Sequence, residues 1–329
     1  MHRSKSSFKK AFSSGLFEFA ALAMFIAIGF PSRSWAQQAS QKTFSSAEDA
    51  TDALVAAAQN NDENRLTEIL GPNGKSLVKS GDDIEDTTDR STFVEKYQQM
   101  HRLVKEPDGT TTLYIGDENW PMPIPLANNG RVWYFDTAAG KKEILYRRVG
   151  RNEISTIRVC EELVAAQEEY YSAHNNEYAQ KILSDEGQQD GLYWKADNGQ
   201  PQSPIGPLVA QAVAEGYTPG HDGAPSTPYR GYFYRLLLRQ GPSAPGGTKS
   251  YVIDGKMTGG FAFIAYPAEY KTSGVMTFIV GSDGVVYRKD IGPNTVTLAR
   301  DLKSFNPDAT WKRDEDQQEE TAAKQMPAK

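Results

Sequence analysis

The chain has 329 residues, 39% hydrophobic and 24% charged, with 36 Lys and Arg against 42 Asp and Glu for a formal charge of −6. An acidic chain without a basic block is a poor partner for nucleic acid or an anionic membrane surface. A single cysteine, Cys160, excludes an intrachain disulfide, and the length fits two domains.

Residues 1–36 read as a secretory signal peptide. Lys5, Lys9 and Lys10 give a basic start, Phe19 to Phe30 is apolar but too short to span a bilayer, and Ser34-Trp35-Ala36 places small residues where signal peptidase reads. Glu18, at the edge of the apolar run, weakens this signal, so an uncleaved anchor and prepilin-type cleavage after Gly15 stay open. Cleavage near Ala36 leaves a chain from Gln37 that is more acidic than the whole. No later segment has the length and apolarity of a transmembrane helix. The expected location is outside the cytoplasm, periplasmic or secreted.

Ser45-Ser46-Ala47-Glu48 is a capping-box pattern with Ser45 as N-cap, followed by Ala47, Ala50, Leu54 and Ala57 at helical spacing. A short helix after Asp62 turns Leu66, Ile69 and Leu70 inward and stops at Gly71. Residues 71–88 are polar and read as loop. A helix over about 89–104 buries Phe93, Tyr97, Met100 and Val104. Thr110–Ile115 is a strand. Prolines 121, 123 and 125 alternate with apolar residues, which suits an edge strand, because every missing N–H faces one side. Asn128-Asn129-Gly130 signals a turn into Arg131–Phe135, predicting a hairpin. Two helices follow, about Gly140–Arg148 and Ile154–His174, the second burying Cys160 on an apolar face as a small hydrophobe. Residues 184–228 are rich in Gly, Pro, Asp and Gln, with a helical patch at Pro207–Glu215. Strands are expected at Gly231–Arg239, Gly260–Ala265, Gly274–Val280 and Val285–Asp290, with Asp283-Gly284 as a two-residue hairpin turn. Residues 313–329 lack apolar spacing and read as a disordered tail.

This order of elements, with the hairpin "IPLANNGRVWYFDT", resembles over Phe44–Arg151 the cone-shaped fold of nuclear transport factor 2. "AQEEYYSAHNNEYAQKI" and the later "GVMTFIVGSDGVVYRKD" resemble the headpiece of a type IV pilin or pseudopilin over about 154–293, although a whole domain precedes this helix where a pilin has its membrane stem. "GDENWPMPIPL", "YRGYFYRLL" and "GGFAFIAYPAEY" resemble secreted bacterial proteins of domain-of-unknown-function family 2950. That resemblance implies export and a shared two-part architecture, and it brings no activity. The expected fold is α+β in two domains. Residues 37–151 form a cone-like unit of helices on a curved antiparallel sheet; residues 152–312 form a long helix on a pilin-headpiece-like antiparallel sheet.

The chemistry is sparse. His101, His174 and His221 are far apart, without a second ligand at zinc spacing. No nucleophile elbow, phosphate-binding loop, zinc-protease motif or dinucleotide fingerprint occurs. His101 with Asp117 is the one acid–base pair available to an enzyme that works in a cone cavity. Asp82, Asp83 and Asp86 belong to the densest acidic cluster; oxygen ligands suit calcium, but their spacing matches no calcium loop, and a solvated acidic loop is the plainer meaning. Trp120, Tyr134 and Trp194 are flat aromatics able to stack on sugar rings, although core packing is the usual fate of such residues. No cofactor is implied. The leading reading is a non-catalytic envelope or secreted binding or scaffold protein, whose partner would be an envelope protein or cell-wall glycan and not nucleic acid. Two alternatives stay open: an enzyme using His101 and Asp117, and a pseudopilin-like assembly subunit.

Overall fold

Side-chain caps and a few buried apolar faces set the first elements. In the computed structural model, which describes residues 41–196, 202–214, 217 and 227–314, helix α1 spans Ala47–Gln59. The expected signal peptide and His221 lie outside the described residues. The N-cap of α1 is Ser46 rather than Ser45: Ser46 Oγ accepts from Asp49 N at 2.9 Å, while Ser45 bonds the Asp49 carboxylate. Helix α2, Glu63–Leu70, is capped by Asp62, buries Leu66, Ile69 and Leu70, and ends at Gly71 with φ 72°. A 3-10 turn at Pro72–Gly74 and helix α3, Lys75–Val78, occupy part of the expected loop.

Helix α4 runs Asp83–Gln99, not 89–104. Its start carries little apolar periodicity. Asp82 caps it through Glu85 N at 3.1 Å, and Asp83, Glu85 and Asp86 place negative charge in its first turn, which the helix dipole favours. Met100 leaves helical geometry, and His101–Lys105 is strand β1, paired antiparallel with β2, Thr111–Ile115. Of the proline-alternating segment, only Trp120–Pro121 is strand (β3), on β2. Strands β4, Leu126–Asn128, and β5, Trp133–Phe135, form the expected hairpin. The sheet order is β1-β2-β4-β5, with β3 also on β2. Leu54, Leu66, Ile69, Val94, Leu113 and Phe135 are among the residues of its core.

The two expected later helices are one, α5, Thr137–Ala173, about 55 Å long at 1.5 Å per residue. Gly150 costs such a helix about 1 kcal/mol, but the flanking turns are held from outside. Arg148 donates to the Ser76 and Leu77 carbonyls, Asn152 to Ser273 O, and Glu153 accepts from Val275 N and Met276 N. The expected boundary between 151 and 152 falls inside this helix. Ile144 packs on the first core, while Val159, Cys160, Leu163 and Tyr170 are buried in the second. Gly140 lets α5 lie against the chain at Pro123: a Cβ there would sit 2.2 Å from the Pro123 carbonyl oxygen, whereas one at Gly150 would meet nothing within 4 Å. The same substitution therefore has opposite signs in one helix. Gly140→Ala is expected to destabilise by about 2–3 kcal/mol, and Gly150→Ala to stabilise by about 1 kcal/mol. Urea unfolding of the two variants checks this, and equal effects would contradict the close approach.

Beyond α5, β6 (Lys181–Leu183) and β7 (Gly191–Tyr193) pair in parallel, and α6 spans Gly206–Ala214. Then come β8 (Tyr232–Leu237), β9 (Arg239–Gln240), β10 (Lys249–Ser250), β11 (Val252–Ile253), β12 (Lys256–Met257), β13 (Ala262–Pro267), β14 (Thr277–Gly281), β15 (Val286–Lys289), α7 (Thr295–Asp301) and β16 (Lys312–Arg313). The main sheet is antiparallel in the order β16-β15-β14-β13-β8. Every residue of β13 and β14 is buried, because the sheet is covered on both faces. Tyr234 reaches Thr156 on α5, and Arg235, facing the other way, reaches the end of α7. The turn at Asp283-Gly284 does join β14 to β15, but Val280 pairs with Val286, so the connection is longer than two residues. Arg313 lies in β16 and Asp314 pairs with Arg288 at 3.2 Å, so the expected tail does not begin at 313; residues 315–329 lie outside the described residues. The fold is α+β. Among the described residues no helix is long and apolar enough to cross a membrane.

Candidate functional site

The first core is incompletely filled. Between α4, α5 and the sheet lies a cavity of about 560 Å3, walled by Leu54, Leu66, Leu70, Phe93, Ile115, Met122, Ile124 and Ile144. Helix α4 forms one side through Asp86, Asp89, Arg90, Phe93 and Lys96, a single helical stripe, so the distance from Asp86 to Lys96 is about 15 Å. Helix α5 brings Ile144, Arg147, Arg148 and Arg151 to the other side.

Both ends carry charge, exposed in the Arg147 and Lys96 ion pairs at one and buried in the Arg148–Asp86 pair at the other. At the Lys96 end, Trp120 lies beside Arg147, whose guanidinium carbon is 5.4 Å from the ring centroid. Arg147 pairs with Glu143 at 2.7 Å and Lys96 with Glu118; the side chains of Arg147 and Lys96 are 48% and 33% exposed. Ion pairs this accessible contribute little and rearrange readily. At the other end Arg148 is buried, bonded to two carbonyls, with its guanidinium 3.9 Å from Asp86. Asp86 Oδ2 accepts from Ser80 N at 2.8 Å, while its buried Oδ1 has no hydrogen-bond partner. That oxygen faces the Arg148 guanidinium beyond hydrogen-bond reach and is closed off from solvent, so the carboxylate belongs to the packing of this end.

Burial pushes the Asp86 carboxyl above its ordinary value of 3.8, with the Ser80 hydrogen bonds and Arg148 pulling the other way; burial likewise raises Glu85. A carboxyl with a raised native pKa keeps its proton at pH values where the unfolded chain has lost its own. Stability therefore falls as pH rises from the ordinary carboxylate value through the raised one. Asp86→Asn removes this group's share, and the expected result is a shallower fall in unfolding free energy across that window, read by urea titration at a series of pH values. Parallel wild-type and variant profiles would show that Asp86 does not titrate there.

The expected site residues are dispersed. Asp86 and Trp120 line the cavity. His101 and Asp117 are exposed and do not line it; the His101 ring stacks on Tyr97 at 3.9 Å, and its Nδ1 bonds the Tyr97 carbonyl. Tyr134 is buried with its hydroxyl unpartnered, and Trp194 packs in the second core with its ring edge-on to His174. Asp82 is no solvated loop residue: its buried carboxylate takes hydrogen bonds from Glu85 N, the Tyr217 hydroxyl and Gly231 N. Among the described residues no group of three or more His, Cys, Asp or Glu is placed to hold a metal ion. Cys160 is fully buried, and burial pushes its thiol up to about 12, so it is protonated at neutral pH and unreactive. The cavity walls escaped sequence reading because their residues also fit a filled core. The available signal was the α4 stripe, which mixes charged residues with Phe93 on a face turned inward.

A family model described as "Protein of unknown function (DUF2950)" matches residues 41–313. No curated protein and no solved structure matches the chain.

Proposed function

Since the chain belongs to the DUF2950 family, described only as proteins of unknown function, we propose its role from the cavity: a non-catalytic, exported binding protein that holds a small molecule with an extended apolar body, such as an acyl chain. The observation that carries this is the cavity itself. Its volume of about 560 Å3 and its Leu, Ile, Phe and Met walls suit a small apolar ligand, since binding pockets typically occupy about 300–1,000 Å3 and are mostly apolar with few polar groups. The polar end of the ligand lies at Trp120, Arg147 and Lys96, where exposed ion pairs can re-form around it, and the apolar body packs along Leu54, Leu66, Phe93 and Ile144. The resemblance of residues 44–151 to a cone fold built of helices on a curved sheet supports the same reading. Export is supported by the basic start, the short apolar run and Ser34-Trp35-Ala36.

The test is to purify the protein from its own cells without detergent, extract it with organic solvent and identify co-purified molecules by mass spectrometry. A stoichiometric apolar molecule is expected, in a protein whose mass corresponds to a start at Gln37. An extract empty of apolar material, together with no thermal shift from any acyl chain, would overturn the binding reading. A cytoplasmic protein retaining residues 1–36 would overturn export alone.

A further inference from the structure

A second cleft, of about 480 Å3, lies in the other half of the molecule, lined by Arg235 and Arg239 at β8 and β9, Lys303 after α7, and Gln180, Leu236 and Leu238. No aspartate or glutamate lines it, and among the described residues none of the three cations forms an ion pair with a carboxylate. Part of this charge has a structural purpose. Arg235 Nη2 donates to the carbonyls of Ala299 and Leu302, both at 2.7 Å, and Lys303 Nζ donates to Arg300 O at 3.0 Å, so both close the C-terminus of α7. A helix C-terminus, however, presents only about half a negative charge, against three full positive charges here. Arg235 also keeps a buried Nε without an acceptor, and burial lowers its pKa with only Tyr266 opposing. Arg239 is exposed and has no side-chain partner among the described residues. Leu238, 45% exposed, adds an apolar edge beside the cations.

We propose that this cleft binds a small oxyanion, a carboxylate or phosphate group carried on a molecule with an apolar edge. The guanidinium of Arg239 and the ammonium of Lys303 supply charge-assisted hydrogen bonds to its oxygens, and Arg235 adds positive charge behind them. This inference does not rest on the apolar cavity, and the two sites can fail separately.

The experiment is a calorimetric titration of the purified protein with inorganic phosphate and, separately, with glucuronate. It is repeated on an Arg239→Ala/Lys303→Ala double variant, which leaves Arg235 to close α7. Saturable binding of either probe is expected, at least tenfold weaker in the double variant and weaker at high salt; the probe that saturates identifies the headgroup. Acyl-chain binding in the other cavity should be unchanged by the double variant. Absence of saturation with both probes, or equal affinity in wild type and double variant, would overturn the proposal.

Discussion

Replacing Asp82 by alanine is expected to cost about 3–7 kcal/mol, a large part of the 5–15 kcal/mol that holds a typical domain together. One buried carboxylate performs three tasks. Its Oδ1 caps α4 through Glu85 N at 3.1 Å, and its Oδ2 accepts from the Tyr217 hydroxyl at 2.8 Å and from Gly231 N at 2.9 Å. Losing the cap costs about 1 kcal/mol, and each buried donor left without an acceptor costs about 1–3 kcal/mol more. The contacts also join the beginning of α4 to the entry of β8, so the loss reaches both cores. The charge of Asp82 and burial together hold the Tyr217 hydroxyl far above its ordinary pKa, burial being the larger cause. Asp82→Asn has one acceptor oxygen: turned to keep the cap, it sets its NH2 against the Gly231 N–H while the Tyr217 hydroxyl can rotate to accept from it, so it should cost less than alanine but more than the cap alone. Urea unfolding of both variants measures this. An alanine variant within 1 kcal/mol of wild type would mean that the network is replaceable by water.

Filling the cavity should separate binding from stability. Ile144→Trp places an indole into space bounded by Phe93, Ile115, Ile124 and Leu70. If the larger ring displaces about three methylenes of a bound chain, at ~0.8 kcal/mol each, affinity falls about 60-fold. Filling an apolar void without strain commonly adds about 0.5–2 kcal/mol of stability, so the variant should melt higher while binding worse. A variant that binds worse only because it is partly unfolded would melt lower, and the sign of the melting shift distinguishes the two.

Local signals made some of this molecule legible and left the rest hidden. The Asp62 cap, the inward Leu66, Ile69 and Leu70, and the stop at Gly71 needed only neighbouring residues; the Asn128-Asn129-Gly130 turn was of the same kind. The start of α4 was missed because its helix is specified by a cap and first-turn charge rather than by an apolar stripe. The sequence shows two helices, about Gly140–Arg148 and Ile154–His174, where there is one, because the contacts that carry α5 through Gly150 come from Ser76, Leu77, Ser273 and Val275, distant in sequence. The two-residue ladders β9 to β12 are too short to show a period. The cavity is the hardest case. Leu54, Leu66 and Ile144 would have the same sequence pattern in a solid core, since hydrophobic periodicity reports which residues face inward and not whether they meet.

The most direct test of an apolar binding site is a calorimetric titration of the purified protein with dodecanoate, kept below its aggregation concentration, at several temperatures. Saturation at one ligand per chain is predicted, with a negative heat-capacity change from burial of the chain, and a binding constant about 60-fold weaker in Ile144→Trp. No saturable heat, or binding that Ile144→Trp leaves unchanged, would contradict the assignment of the cavity as the ligand site.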